Sequence, residues 1–540
     1  MSTHDTRYPL TALQYGMLYH AELASTPDAY VVQHVFEVAG DLDPVKLSHA
    51  WEALCQRHAL LRSRIHWNAD GMPELAVPAP GARSMSMELA AFDGGDLEDF
   101  LQRDRTLGFE IEQGPLVRLT LLDRPSRFLV WTSHHLLLDG WSKTILLKEL
   151  AEIYVALVRD QGMPSLPAAP SYEGYLAWLE NAEQSSGAAA IVQREFRNCS
   201  EDDIASLLGV RDARTAGQSR VSEIEFEVTS DGGLPNQLLG VTPATVFLAA
   251  WGLVLGVARQ RHRALFGTVV SCRPPSVDGA ERMVGLLINT LPTLIDINPS
   301  APIDAWLREL QRRHARLRTC SHVSLAEMRT WFLWPPTRPL FDTLIAFENY
   351  PGASERDAID LGEGARLSLR RAVERTGYAM TLRVVGAGPF RVSMQWESAA
   401  IDAAFAEYLT IQYGRLLDDL FRGLSASVGG LLSSLPSLEA NPRFLDAAIA
   451  PTLPGAPINW DEPRTARIDE RTLAILWCDV LDLPSINPDD NFFDVGGDSL
   501  RAMRLMSQLR QRFEIALPLS ALFETPTVRG LAARAAAHRT

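Results

Sequence analysis

Apolar and polar positions change rhythm several times along this chain of 540 residues. Tyr30–Val38 (YVVQHVFEV) alternates and is β-branched, which predicts a strand. Pro44–His58 follows a helical period, with Val45, Leu47, Trp51, Leu54 and Cys55 on one face. Leu116–Leu122 and Phe128–Thr132 read as two strands joined by a turn at Pro125-Ser126, and the second delivers His134 and His135. Asp139-Gly140 then turns the chain, and Ser142 is placed to cap a helix running through Tyr154. Gly162–Pro170, rich in Pro and Ala, reads as a loop. From about residue 220 the alternation resumes, with strands at Glu223–Val228, Ala264–Val270, Leu291–Asp296 and Leu340–Glu348 and helices at Pro243–Ala258 and Ile303–Arg318. The two halves have similar content, which allows a duplicated architecture without a legible repeat. Residues 433–463 hold six prolines and no sustained period, and form the clearest linker. The last stretch, about 464–537, reads as all-helical: Arg467–Leu481, Ser499–Phe513 and Val528–Ala536, with Pro518 and Pro526 breaking the chain before the third.

Length calls for several domains. No apolar run reaches the roughly 20 residues that span a bilayer, and the first residues carry no secretory pattern, so neither a membrane nor export is expected. The cysteines Cys55, Cys199, Cys272, Cys320 and Cys478 are scattered without CxxC spacing. Reduced core thiols in a cytoplasmic monomer are expected, with no metal site. A net charge of −15 speaks against nucleic acid.

Two short segments carry chemistry. Asn491-Phe492-Phe493-Asp494-Val495-Gly496-Gly497-Asp498-Ser499-Leu500-Arg501-Ala502 places a serine after a Gly-Gly turn and at the start of a helix-period run. Helix N-termini present unpaired N–H groups and partial positive charge, which suits a phosphate ester at Ser499. Without that chemistry Ser499 would be an N-cap residue. Asp498 reads as acidic character for partner enzymes or as a solvated turn carboxylate. The second segment is Ser133-His134-His135-Leu136-Leu137-Leu138-Asp139-Gly140-Trp141-Ser142. A neutral imidazole near pH 7 can accept or steer a proton. Gly140 fits a turn with positive φ or a close backbone approach. The bland alternative is a pair of buried strand-end histidines and an exposed Asp-Gly turn.

The first of these segments looks like the prosthetic-group site of a peptidyl carrier (thiolation) domain. The second resembles the HHxxxDG motif of condensation domains in nonribosomal peptide synthetases. Thr11–His20, Arg57–Arg62, Met283–Pro292 and Pro339–Pro351 resemble further motifs of that family, and the resemblance covers nearly all of the first 435 residues. It implies an α+β fold of two chloramphenicol-acetyltransferase-like lobes in a V-shaped pseudodimer, followed by a small helical-bundle carrier. The expected divisions are 1–175, 176–435, a linker at 436–463 and a carrier at 464–540. The Tyr172–Trp178 segment fits its motif only loosely, and 183–215 lacks the family's tryptophan-bearing helix.

Functionally, the resemblance implies 4′-phosphopantetheine on Ser499, its thiol holding an acyl group as a thioester. It makes His135 the catalytic residue, as base or as orienter of the amine, and His134 structural. It pairs Asp139 with Arg62 in a buried ion pair that holds the histidine loop. The expected reaction joins a donor acyl or peptidyl thioester, arriving on a separate carrier, to an amino acid on this chain's own arm. The segments LQYGMLYHAEL and FENYP look most like the subtype that takes a donor ending in a D-residue. No adenylation domain fits between the two units, so loading in trans by a stand-alone adenylation enzyme is expected. A phosphopantetheinyl transferase, an upstream donor carrier or synthetase, and a downstream release or extension enzyme complete the expected partners. A soluble amine or alcohol as acceptor remains an alternative, as does a non-catalytic scaffold that recruits proteins to the carrier. Epimerisation is disfavoured by domain order, and heterocyclisation by the His-His pair. Met503, Leu505, Met506 and Leu522 read as core, Trp331 and Trp334 as packing or tunnel wall. The arginines at 312–318 read as a solvated face, or as a surface for an acidic carrier or the phosphate of its arm.

Overall fold

The computed structural model describes residues 5–435 and 470–537, apart from 24–27, 82–84, 92–95, 124–126, 200–203, 206–220, 230–239, 332–339, 349–357 and the single positions 86, 186, 198, 387, 424, 498, 514 and 516. The first lobe opens with β1 (Thr6–Pro9) and α1 (Ala12–Leu23). It continues through β2 (Val31–Ala39), α2 (Pro44–Arg57), β3 (Arg64–Trp67), β4 (Pro73–Val77), β5 (Glu88–Ala91), α3 (Leu97–Leu107), β6 (Val117–Asp123), β7 (Phe128–His134) and α4 (Gly140–Val158). Helices α5 (Tyr172–Ser185) and α6 (Ala188–Glu195) lead into β8 (Ile204–Ala205), β9 (Val221–Val228), α7 (Pro243–Arg259), β10 (Arg263–Ser271), β11 (Ile288–Asp296), α8 (Ile303–Arg318), α9 (Leu325–Trp331) and β12 (Thr343–Glu348). Then come β13 (Ile359–Asp360), β14 (Arg366–Glu374), β15 (Met380–Val385), β16 (Phe390–Glu397), α10 (Ala403–Arg422) and α11 (Val428–Ser434). The C-terminal unit is α12 (Glu470–Leu481), α13 (Ser499–Phe513), α14 (Ser520–Glu524) and α15 (Val528–Ala537).

The helices begin where their caps and patterns place them. Asp43 accepts from the N–H groups of Val45 and Lys46 at 2.9 and 3.1 Å, with Pro44 in the first turn of α2. Such a cap stabilises a helix by about 1 kcal/mol. The apolar face of α2 buries Leu47, Trp51, Leu54 and Cys55, whereas Val45 is exposed. Trp51 meets Trp131 of β7 edge-on at 5.1 Å. Helix α7 is apolar nearly all round and is accordingly buried along most of its length.

Each lobe is built on a sheet. The second-lobe sheet runs β11-β10-β12-β15-β16-β9, with β8 on β10. The first-lobe sheet runs β13-β14-β2-β7-β6-β5. Its two strands β13 and β14 come from the second half of the sequence, so the chain crosses back between the lobes. The antiparallel register of β14 on β2 sets Glu374 opposite Val32, and β2 in turn pairs Val32 with Ser133 of β7. This crossing brings residue 374 beside the end of β7. The stretch at 183–215 holds a short helix without tryptophan, α6, whose Glu195 takes Arg313 and Arg316 of α8. Those two arginines are therefore structural ties between helices, not a solvated face; Arg313 also reaches Asp296 at 2.6 Å.

Candidate functional site

The strand β7 ends at His134, and the next turn is held on every side. The main-chain N–H of His135 donates to the carbonyl of Tyr30 at 2.7 Å. The buried amide of Gln14 on α1 donates to the carbonyl of Leu136 at 3.0 Å, so the first motif props the histidine loop. His134 is buried and its Nδ1 accepts the Leu136 N–H at 3.2 Å. Burial, with His135 beside it, brings the His134 pKa down to about 4, so this ring is neutral and structural.

His135 has a different environment. Its Nδ1 lies 3.1 Å from the carbonyl of Leu138, and its Nε2 lies 2.7 Å from Oε1 of Glu374. Burial opposes a charge on this ring, but the Glu374 carboxylate more than offsets it and pushes the pKa up to about 9. Conversely, burial opposes the Glu374 charge, and the His135 imidazolium, then Arg383 and Lys143, hold its pKa down at about 2. The resting pair is therefore imidazolium and carboxylate. Around it, Lys143 Nζ sits 2.6 Å from Nε2 of His34, and Arg383 pairs with Glu348 at 3.1 and 3.2 Å.

Asp139 is the N-cap of α4, accepting from the Ser142 N–H at 2.7 Å, so Asp139 and not Ser142 caps this helix. Its ion-pair partner is Arg273, whose Nη2 lies 2.9 Å from both carboxylate oxygens. The expected pairing with Arg62 is corrected: Arg62 donates to the carbonyls of Cys55 at 2.5 Å, Gln56 at 3.0 Å and Pro78 at 3.4 Å. Arg62 lies in the turn after α2 and is nearest to the free carbonyls at that helix end, where a cation is favoured. Arg273 instead emerges from the loop after β10 and reaches the cap directly. Asp139 also accepts from Leu287 N–H at 3.0 Å, and the hydroxyl of Ser142 exchanges hydrogen bonds with the backbone of Gly285 at 2.8 and 3.0 Å. The Met283–Pro292 segment thus latches the histidine loop of the first lobe to the second. Gly140 is the first residue of α4 and has no positive φ, so of its two expected roles the left-handed turn is absent and the close backbone approach is left.

These groups line a cavity of about 960 Å³ between the lobes. Its walls include α1, the end of β7, Lys143, Glu348, Glu374, Arg383 and Arg318 of α8. Met503 of the C-terminal unit lies on the same wall. Trp331 packs against a core cluster of the second lobe, and Trp334 is outside the described residues.

The C-terminal unit presents Ser499 as the first residue of α13. Trp477 and Phe492, both fully buried, meet edge-on at 4.9 Å. Gly497 lies against the Phe492 ring so closely that a Cβ there would come within 2.2 Å of it, and Gly496 has φ +102°. No side chain fits this turn, and it delivers the chain straight into α13. Asp498 and the Ser499 side chain are outside the described residues. Leu505 and Leu522 are core as expected, and Met503 and Met506 are also buried, Met503 against the cavity. Helix α13 lies on α1, Phe523 of α14 meets Tyr19 of α1 at 5.9 Å, and from α13 Gln508 donates to the Asp70 carbonyl at 3.3 Å and Arg510 pairs with Glu112 at 3.0 Å, both in first-lobe loops. Ser499 is one helical turn, about 6 Å of rise, from Met503. A rigid Gly-Gly turn feeding a helix of 15 residues fits a phosphate ester at that position.

Residues 4–436 match the family described as "Condensation domain", and residues 471–535 match "Phosphopantetheine attachment site". The chain belongs to the condensation-domain family and carries a phosphopantetheine unit behind it, with 4′-phosphopantetheine as its covalent cofactor. Among similar proteins, one of the linear gramicidin synthase polypeptides of Brevibacillus parabrevis is 30% identical over 439 residues, covering 78% of this chain and 6% of that protein. Chondramide synthase cmdD of Chondromyces crocatus is 31% identical over 427 residues, covering 70% and 11%. The chain spans less than a tenth of the length of the linear gramicidin synthase polypeptides, at 6% and 8%. The fold is that of the first condensation domain of the calcium-dependent antibiotic synthetase, with TM-score 0.63 at 17% identity, covering 78% of this chain and 98% of that one. A starter condensation domain of rhizomide synthetase in complex with C8-CoA gives TM-score 0.65 at 16% identity, covering 78% and 97%.

Among the functional residues, sequence reasoning missed Arg273, Glu374 and Lys143. Lys143 directly follows the histidine segment already singled out and stands on the same helix as Gly140. The other two are joined to the site only through the fold.

Proposed function

We propose that this chain is a condensation–carrier didomain of a nonribosomal peptide pathway. It forms an amide bond between a donor thioester brought on a separate carrier and an amino acid on its own arm at Ser499. The observation that carries this reading is the placement of α13 against α1, with Met503 in the wall of the cavity that holds His135. When bound at Ser499, the pantetheine supplies a thiol that carries the acceptor residue as a thioester. The N-terminus of α13 and the Gly496-Gly497 turn would hold its phosphate. His135 receives or steers a proton of the attacking amine and returns it to the leaving sulfur. Asp139, tied to Arg273, Ser142 and Leu287, keeps the histidine loop in place.

The two family matches are separated only by residues 437–470, too few for an activating domain, which supports loading by an adenylation enzyme acting from elsewhere. A phosphopantetheinyl transferase is needed to convert Ser499, and a donor carrier and a release or extension enzyme complete the set. The finer form of the proposal, a donor ending in a D-residue, rests on the LQYGMLYHAEL and FENYP segments.

Intact mass of the pantetheinylated protein after incubation with its pathway partners tests this function. A condensed chain on Ser499, absent in Ser499→Ala and reduced about 10²–10⁴-fold in rate in His135→Ala, is expected. A carrier holding only the unextended amino acid, with coupled product free in solution, would assign the acceptor to a soluble nucleophile instead. Full product formation by His135→Ala would make the condensation unit a scaffold.

A further inference from the structure

Glu374 is a carboxylate inside the cavity, about one-fifth exposed, and its partner is His135. Arg383 is already engaged two-to-two with Glu348, and Lys143 sits on His34. The ordinary pKa values of Lys and Arg lie well above that of His. Of the three cations, the His135 imidazolium is the one that gives up its charge most readily, by losing one proton. The cation paired with Glu374 is therefore the most readily exchanged of the three.

We propose that Glu374 is the seat for the ammonium group of the amine to be acylated, which takes the carboxylate from His135 and leaves the ring neutral beside it. The inference rests on the reading that this cavity condenses an amine with a thioester. A primary ammonium has three N–H donors and no acceptor, and charge-assisted hydrogen bonds to a carboxylate are its strongest pairing. A buried carboxylate stripped of its cation would be costly. The exchange avoids this cost, because one cation replaces another and one proton leaves to solvent. An ammonium on Glu374 then lies within hydrogen-bond reach of Nε2, since that nitrogen is 2.7 Å from the same oxygen at rest.

The step balances. His135, now neutral, takes one proton from the ammonium and frees its lone pair. The nitrogen bonds the thioester carbon and the carbon–sulfur bond breaks. His135 passes its proton to the departing sulfur and takes the remaining excess proton from the new amide nitrogen. The ring ends as an imidazolium on Glu374, as it began. The sum is ammonium plus thioester giving amide, thiol and the one proton released on binding. Other charged or titratable groups facing this pair are His34 on β2, Lys143 on α4, Glu348 on β12, Arg383 on β15, the adjoining His134, and the phenols of Tyr30 and Tyr378. None of these changes partner in the exchange.

The test uses the full chain with ¹³C-labelled histidine and two probes, glycyl-N-acetylcysteamine thioester and its acetyl counterpart, which lacks the ammonium. The glycyl probe is expected to lower the pKa of His135 and release a proton to a weak buffer, and the acetyl probe to do neither. Glu374→Gln is expected to weaken the glycyl probe at least tenfold and leave the acetyl probe unchanged. It should also move the rising limb of the condensation pH profile to lower pH. Glu374→Asp, which keeps the charge, should recover part of the glycyl binding and guards against a folding defect. Equal glycyl affinity in wild type and Glu374→Gln, or a His135 titration indifferent to the glycyl probe, overturns the seat. Because these are binding readouts, they stand apart from the mass test, in which full activity of His135→Ala would instead remove the reaction itself.

Discussion

The first half of the chain brings its chemistry to the cavity on one short loop, residues 134–142, whereas the second half brings Arg273, the Gly285–Leu287 turn and Glu374 from three separate stretches. The second lobe holds the far end of that loop. Asp139 caps its own helix, but three of its hydrogen bonds come from Arg273 and Leu287 across the lobe boundary. His135 likewise has its main chain fixed by Tyr30 in its own lobe and its ring held by a strand encoded in the second half. Motif and support are thus divided along the sequence: the first half carries the histidine motif, and residues from the second half hold its loop and set the charge of the His135 ring.

The largest break in that division should come from Arg273→Ala. It leaves the Asp139 carboxylate buried with no cation, at a cost of about 3–5 kcal/mol. Thermal unfolding should report the loss, and condensation should fall with it. Arg62→Ala removes donors to carbonyls at the end of α2 and should cost less, about 1–3 kcal/mol. The histidine loop should survive that change. If Arg62→Ala proved the more damaging to condensation, Arg62 and not Arg273 would be the partner that matters.

A smaller effect sharpens the comparison through pH. The folded pKa of His135, about 9, stands above its ordinary 6.5, so the stability from its charge is fully present below about 6.5 and is lost as pH rises through about 9. The folded pKa of Glu374, about 2, stands below its ordinary 4.5, so its share is present above 4.5 and is lost as pH falls through about 2. Urea unfolding of wild type and Glu374→Gln should differ most between about pH 4.5 and 6.5 and converge as pH passes 9. A constant gap across that range would mean the pair is not the source.

The smallest effect concerns the carrier. Arg510 and Glu112 are each about half exposed at 47% and 51%, so their pair contributes about 0.2–1 kcal/mol. Arg510→Glu should loosen α13 from α1, seen as altered amide shifts near Tyr19 and Asp70, while global stability is unchanged. Unaltered shifts would show that the contacts of Phe523, Met503 and Gln508 hold the unit without this pair.

Legibility in the sequence follows the same divide. Helices α2, α8 and α13 have the expected bounds within a residue, because their caps, prolines and periodic faces are local. The strand β14 reads RLSLRRAVE, with charge at so many positions that nothing local marks Glu374 as buried partner of a histidine. Asp139 was legible as a buried anchor, but the choice between Arg62 and Arg273 depends on which arginine the lobes bring within reach. Ser142 was expected to cap α4; with Asp139 three residues earlier, the carboxylate takes the cap and the hydroxyl is released to hold Gly285. The Gly496-Gly497 turn was legible because Phe492 and the helix that follows are its immediate neighbours.

The insertion of β14 beside β2 has a consequence for how the protein is made. Until residue 374 leaves the ribosome, β2 is an edge strand, and its sequence VVQHVFEVA is long and apolar. Such an edge is a template for pairing with other chains. The nascent first lobe must therefore wait, exposed, through the synthesis of most of the second, and a gene cut between the lobes would yield a first half that aggregates.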